Sequence, residues 1–252
     1  MNDQETNMIE LKNLTKKYGK FMAVEGLSLV VPKGEIFGFI GPNGAGKTTT
    51  ISMMAGILVP TSGSVSICGI DMLTSPREAK KKIGYIPDRP YLYEKLTAME
   101  FLKFMGDLYE MESDGFEQRA ESSLTQFSLL GWADELIESF SHGMKQRLIM
   151  AAALMHDPQV VVVDEPMVGL DPIAIKMVKL LLRDLAAKGV TIFMSTHTLQ
   201  VAQDVCDRIG VIHRGGLIAQ GTIGELRALA SSDGGDLEQV FMILTEGKGG
   251  GR

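Results

Sequence analysis

The chain has 252 residues, 45% of them apolar and 6% aromatic, and a formal net charge of −6. That is enough chain to bury a sizeable core and too apolar a composition for a disordered protein, and the acidic balance argues against nucleic acid as a partner. The longest apolar run, Leu148–Met155, is far short of the roughly 20 residues that cross a bilayer, so work at a membrane requires another polypeptide.

Alternating apolar positions open the chain: Ile9, Leu11 and Leu14, then Met22, Val24, Leu27, Leu29 and Val31. They predict strands broken by turns at Tyr18-Gly19 and Pro32-Lys33-Gly34. Ile36–Ile40 is a short buried strand that runs into a glycine-rich loop at Gly41, and Thr48–Leu58 follows as a helix. A turn at Thr61–Ser64 leads to a strand around Val65–Ile67. Ser75-Pro76-Arg77-Glu78 has serine as cap, proline at the first helical position and glutamate where a capping box needs it. Ile83–Ile86 is strand-like and Pro87 ends it. From Asp88 to Asp157 the pattern is helical, with a second capping box at Thr97-Ala98-Met99-Glu100. The β-branched run Val160–Val163 reads as a parallel strand buried on both faces. A helix from Asp171-Pro172 to about Lys188 follows, then a strand Val190–Ser195, a helix Leu199–Asp207, a strand Ile209–Ile212, a turn at Gly215-Gly216 into Leu217–Ala219, and a helix Thr222–Ala230. Leu237–Leu244 is expected to form one last packed element before a frayed, glycine-rich end.

Two patterns carry chemistry. Gly41-Pro42-Asn43-Gly44-Ala45-Gly46-Lys47-Thr48 is a P-loop, lying after a strand and before a helix as that motif requires. Its backbone N–H groups, from Asn43 through Thr49, are expected to cradle phosphate oxygens at a helix N-terminus. Lys47 reaches the outer phosphates and the Thr48 hydroxyl holds Mg²⁺. The second pattern is Val160–Val163 followed by Asp164-Glu165-Pro166. A buried strand ending in two acids presents carboxylates at the C-terminal edge of a parallel sheet, where such sheets bind ligands. Asp164 is expected to steady Mg²⁺, and Glu165 to orient or deprotonate the attacking water.

A P-loop alone leaves kinases, GTPases and motors open. Phe140-Ser141-His142-Gly143-Met144-Lys145-Gln146-Arg147, upstream of the acidic strand, narrows the choice. It resembles the signature sequence of the ATP-binding subunits of ATP-binding-cassette (ABC) transporters, commonly Leu-Ser-Gly-Gly-Gln, and the resemblance covers nearly the whole chain. His142 and Met144 depart from that signature. The resemblance implies an α/β P-loop NTPase core with a mostly parallel sheet, an N-terminal antiparallel β subdomain and an inserted helical subdomain. Its boundaries would be 1–87 and 158–221 for the core, 88–157 for the helical part and 222–246 for a short extension, one ATPase domain over 1–246 with a disordered tail at 247–252.

The same resemblance implies an ATPase in which two copies, or one copy and a related subunit, sandwich ATP. Ser141 and the Gly143 amide would then contact the γ-phosphate bound to the opposite copy. Gly169-Leu170-Asp171-Pro172 corresponds to the D-loop at the dimer interface, and His197 to the switch histidine on the γ-phosphate. Tyr18 matches the aromatic that stacks on adenine. Asp88 stands where the family usually has glutamine; its carboxylate can still ligate Mg²⁺ and adds negative charge beside the γ-phosphate. An integral membrane permease is the implied partner, on the cytoplasmic face of the cell membrane. The signature, the Ile-Pro-Asp turn and the ending Leu237–Phe241 are similar to two-component exporters, so export is the expected direction.

The competing reading is an ABC-type ATPase serving ribosomes or DNA repair. Such relatives carry tandem cassettes or coiled-coil insertions, and this sequence has one cassette and no heptad run. The remaining features read as structural. Lys80-Lys81-Lys82 is a solvated helix face, and the methionines fill core. His156 and His213 lack neighbours at metal-ligand spacing. Cys68 and Cys206 make no disulfide framework, which fits a reducing compartment, and the polar residues 1–6 do not read as a secretory leader.

Overall fold

The structure, a computed structural model, describes residues 7–89, 91–229, 239 and 241–243. The opening alternation becomes a long hairpin, β1 (Asn7–Tyr18) and β2 (Phe21–Pro32), followed by β3 (Ile36–Ile40) and α1 (Lys47–Met54). Then come β4 (Ser62–Ile67), β5 (Ile70–Asp71), α2 (Pro76–Lys81) and β6 (Ile83–Ile86). A helical stretch holds α3 (Ala98–Leu108), α4 (Phe116–Gln126), two 3-10 turns and α5 (His142–Leu154). The chain returns through β7 (Val160–Asp164), α6 (Pro172–Ala187), β8 (Thr191–Thr196), α7 (Leu199–Val205), β9 (Arg208–His213), β10 (Gly216–Gly221) and α8 (Ile223–Leu229).

Two sheets result, one antiparallel in the order β2-β1-β4-β5 and one of six strands in the order β10-β9-β3-β8-β7-β6. The larger sheet is parallel from β9 to β6, with β10 antiparallel at its edge. Strands β3, β7 and β8 are buried along their whole length, and their alternation sorts their side chains between two cores. Phe37, Phe39, Val160, Val162 and Phe193 face the antiparallel sheet and α1. Ile36, Ile40, Val161, Val163, Ile192 and Met194 face the helices. Phe193 anchors the first core, with ring centroids 5.6 Å from Phe37 and 5.2 Å from Phe39. The uninterrupted valines of β7 therefore reflect two apolar environments, as a parallel central strand requires.

Among the described residues between β6 and β7, every regular element is helical. Thr97 heads α3 as expected: its Oγ1 accepts from the Glu100 N–H at 3.1 Å while Glu100 Oε2 accepts from the Thr97 N–H at 2.8 Å. Two rings tie this helical region to the sheet. Tyr109, at the end of α3, stacks on His156, just past α5, with centroids 3.6 Å apart. Both donate to the same carbonyl on β6: Tyr109 Oη lies 3.3 Å and His156 Nε2 3.1 Å from Ile83 O. Burial drives the His156 pKa down to about 4, against the opposing pull of the Ile83 carbonyl and Asp157. Its Nδ1 is buried without a hydrogen-bond partner, so a proton added there would find no acceptor.

The structure corrects three local expectations. The first helix ends at Met54 rather than Leu58, because the Ile57 and Leu58 N–H groups both turn back to Ser52 O, at 2.9 and 3.0 Å. Ser75 precedes α2, and Pro76 is at its start, but the serine side chain makes no capping hydrogen bond. The strand β5 was not expected; two residues are too short to leave a periodic signal. Of the expected terminal element 237–244, only residues 239 and 241–243 are described; they are helical, and Phe241 packs on the helix-side core. The expected tail 247–252 lies outside the described residues.

Candidate functional site

The parallel sheet delivers its loops to one edge, and the P-loop, the acids and the histidine meet there. A cleft of ≈ 430 Å³ is lined by Phe21 and Ala23 of β2, Asn43, Gly44, Gly46, Lys47, Thr48 and Thr49 of the loop and α1, Asp88 after β6, Asp164, Glu165 and Val168 after β7, and His197 after β8. The loop is held tightly. Gly46 has φ 112, and a β-carbon there would lie 2.5 Å from Ala23 O, so only glycine fits. The Ala45 N–H donates to Pro42 O at 3.1 Å and the Gly215 N–H to Ala45 O at 2.9 Å, which explains why Ala45 is buried behind the cleft rather than lining it.

Lys47 is buried and donates to Gly41 O at 2.7 Å and Pro42 O at 3.3 Å. Burial lowers its pKa, while the nearby Glu165 and Asp164 carboxylates favour the charged form. Asp164 is 2% exposed and accepts a hydrogen bond from Ser195 Oγ on the neighbouring strand. Glu165 takes φ 50, a left-handed conformation unusual for a side-chain-bearing residue, and its N–H reaches Ser195 O at 3.2 Å. Its Oε1 lies 2.8 Å from His197 Nδ1. A carboxylate only accepts, so Nδ1 carries the proton in that contact. The cleft thus sets one buried cation and a helix N-terminus against three carboxylates, an arrangement suited to a phosphate chain with its counter-ion.

The donor set fits Mg²⁺ only together with a ligand. Among the described residues no group of three or more His, Cys, Asp or Glu side chains converges as a metal site. Thr48, Asp88 and Asp164 line the cleft from separate loops. One hydroxyl and one or two carboxylates leave a hard cation to complete its shell with phosphate oxygens and water, the usual mode for Mg²⁺ at nucleotides.

The structure does not bring every expected residue to this cleft. Ser141, Gly143 and Asp171 lie elsewhere. Ser141 caps α5 by accepting from the Met144 N–H at 3.3 Å, which leaves its own hydroxyl proton free to donate. Asp171 Oδ1 caps α6, accepting from Ile173 and Ala174 N–H at 2.9 and 2.8 Å. Tyr18 is half-exposed at the β1–β2 hairpin with Lys16 Nζ 5.3 Å from its ring centroid, and it does not line the cleft. Phe21, its cross-strand partner and 62% exposed, does. Sequence reasoning passed over Phe21 because two aromatics flank one turn and only one was matched to a role.

The sequence pattern of ABC transporters matches residues 24–168, from the end of the cleft's β2 wall through the P-loop, signature and acidic strand. The chain belongs to the ABC transporter family. It is 39% identical over 240 residues to the probable multidrug ABC transporter ATP-binding protein YbhF of Escherichia coli (strain K12), covering 94% of this chain and 41% of that protein. The chain therefore spans about two-fifths of that relative's length. It is 40% identical over 229 residues to the linearmycin resistance ATP-binding protein LnrL of Bacillus subtilis (strain 168), covering 91% of this chain and 73% of that one. Among solved structures it resembles a dimeric, post-hydrolysis ATP-binding cassette bound to ADP and Pi, with a TM-score of 0.79 and 27% identity, over 86% of this chain and 99% of that one. In this ABC cassette, among the described residues, no helix is long and apolar enough to cross a membrane.

Proposed function

We propose that this ABC cassette binds and hydrolyses ATP as half of a head-to-tail dimer, two identical copies or one paired with a related subunit, and powers export through a separate integral membrane permease. The observation that carries the reading is the single cleft where Lys47, Thr48, Asp88, Asp164, Glu165 and His197 converge. Lys47 exchanges its loop carbonyls for phosphate oxygens and, with the N–H groups from Asn43 to Thr49, neutralises the charge that builds up in phosphoryl transfer. Glu165 orients the attacking water and draws off its proton. His197 holds that carboxylate and turns its other nitrogen toward the γ-phosphate. Thr48, Asp164 and Asp88 would hold Mg²⁺, which supplies further charge neutralisation at the phosphates.

Ser141, Gly143 and Asp171 find their use across the two-fold axis. A capped helix with a free hydroxyl proton and unpaired first-turn N–H groups suits an anion, and the anion must come from outside because these residues miss their own cleft. An aromatic ring of the β1–β2 hairpin, Tyr18 or its cross-strand partner Phe21, stacks on adenine. The chain divides into a core of 1–87 and 158–221, a helical subdomain of 88–157 that meets the permease, and an extension of 222–246, and it works at the cytoplasmic face of the cell membrane. Export follows from the exporter-like signature and ending, and is supported by relatives named for multidrug transport and linearmycin resistance.

Glu165→Gln tests the reading. Turnover should fall by at least about a hundredfold, in the range expected of a general base, while ATP binding persists and a trapped dimer accumulates. Undiminished turnover removes Glu165 from the chemistry.

A further inference from the structure

The signature departs from its family at His142, and the structure gives that side chain a contact. His142 is the first residue of α5, and its ring leans over Gly169 in the turn that follows β7. A β-carbon on Gly169 would lie 2.7 Å from His142 Cδ2 and 2.9 Å from Nε2. Gly169 also has φ 75, a conformation that favours glycine, and a β-carbon there would have to displace the His142 ring. Next to this contact, Leu170 Cδ2 lies 3.9 Å from where a β-carbon of Gly143 would be.

The turn under the ring is short and begins at Glu165. Val168, which lines the cleft, donates its N–H to Glu165 O at 3.3 Å, and Leu170 donates to Met167 O at 3.4 Å. Glu165 itself is held in a left-handed conformation. The ring thus packs beside Gly169, four residues along a hydrogen-bonded turn from Glu165.

We propose that His142 is a positioning residue: it braces the Glu165–Leu170 turn from the signature helix, so that seating the signature on the opposite nucleotide sets the aim of this copy's own Glu165. The inference rests on the sandwich reading above. It gives each site a physical route to the other through one protomer, from the phosphate-facing Ser141 and Gly143 through His142 and Gly169 to Glu165. Glycine, the family's usual residue at position 142, has no side chain to make the contact.

The test is a double-mutant cycle read in steady-state ATP turnover by the full chain: wild type, His142→Gly, Gly169→Ala and the double variant. His142→Gly is expected to lower kcat about fivefold with KM changed less than about twofold, the pattern of a lost transition-state alignment. Gly169→Ala is expected to lower kcat further, because its methyl meets the ring. Adding His142→Gly to Gly169→Ala should then raise kcat at least about threefold, since the obstruction is gone and the backbone strain is common to both. Losses that simply multiply, or a rise in KM with kcat unchanged, overturn the brace. Should Gly169→Ala fail to fold, His142→Ala and His142→Asn carry the test by the same kcat-against-KM split. ATP-driven dimerisation of Glu165→Gln, followed by size-exclusion chromatography, separates the two levels. No dimer removes the sandwich and this proposal with it; a dimer together with a multiplicative cycle removes the brace alone.

Discussion

Lowering the pH from 7 to 5 should loosen the joint between the helical region and β6, and His156 is the group that feels it. The folded ring is neutral: it sits under Tyr109, donates through Nε2 to Ile83 O and has no acceptor for a second proton at Nδ1. Its folded pKa of about 4 lies below the 6.5 of a free ring. Between those values the unfolded chain binds the extra proton, so the stabilisation is complete above pH 6.5, is lost as pH falls toward 4, and stops changing below that. From pH 7 to pH 5 the linkage comes to about 2 kcal/mol. Other groups titrate over the same range, so the measurement is a comparison. Urea unfolding of wild type and His156→Gln at both pH values should give a difference that shrinks by about 2 kcal/mol at pH 5, because glutamine keeps an amide donor for Ile83 O but takes up no proton. Parallel pH dependence of the two proteins would refute the assignment of that loss to His156.

The remaining predictions concern the site and one cap. If adenine stacks at the hairpin, Tyr18→Ala and Phe21→Ala separate the two candidates: the one that matters weakens ATP binding by about 1–3 kcal/mol in isothermal titration, as expected for loss of a base–aromatic stack, and the other changes it little. Asp88→Gln restores the family's usual residue and removes one of three carboxylates from the cleft; basal turnover or its stimulation by the permease should change, and constancy of both would strip Asp88 of any special role. Thr97→Ala removes the Oγ1 that accepts from the Glu100 N–H, leaving the backbone N–H at position 97 to donate to Glu100, and should cost about 1 kcal/mol in chemical denaturation with KM for ATP unaltered.

Much of the site was legible because its chemistry is local. The P-loop, the strand carrying Asp164 and Glu165, and the strand ending before His197 are each a run of adjacent residues whose spacing is set by strand and helix geometry, and the parallel sheet brings the ends of β3, β7 and β8 together. The capping box expected at Thr97 forms, and Thr222, followed three residues later by Glu225, makes the same contact, its Oγ1 accepting from the Glu225 N–H at 3.2 Å. The similar pattern at Ser75 left its side chain unused, since α2 runs only from Pro76 to Lys81 and tertiary placement outweighs a single cap. What the sequence could not carry were relations across it. Neither the order of the strands, nor the sharing of Ile83 O by Tyr109 and His156, nor the seat of His142 on Gly169 leaves a periodic trace. The choice of Phe21 over Tyr18 as a wall of the cleft depends on how the hairpin is tilted over the P-loop, which no pattern within the hairpin encodes.

The left-handed backbone at Glu165 has a geometric consequence. In an extended strand consecutive side chains project to opposite sides, so two adjacent acids ordinarily serve two different surfaces. By reversing its torsion immediately after β7, the chain points both members of the pair into one chamber: Asp164 locked against Ser195, Glu165 swung out to meet His197. A glycine would adopt that bend with less strain, so the polypeptide tolerates local discomfort to keep a reactive oxygen beside its anchored neighbour.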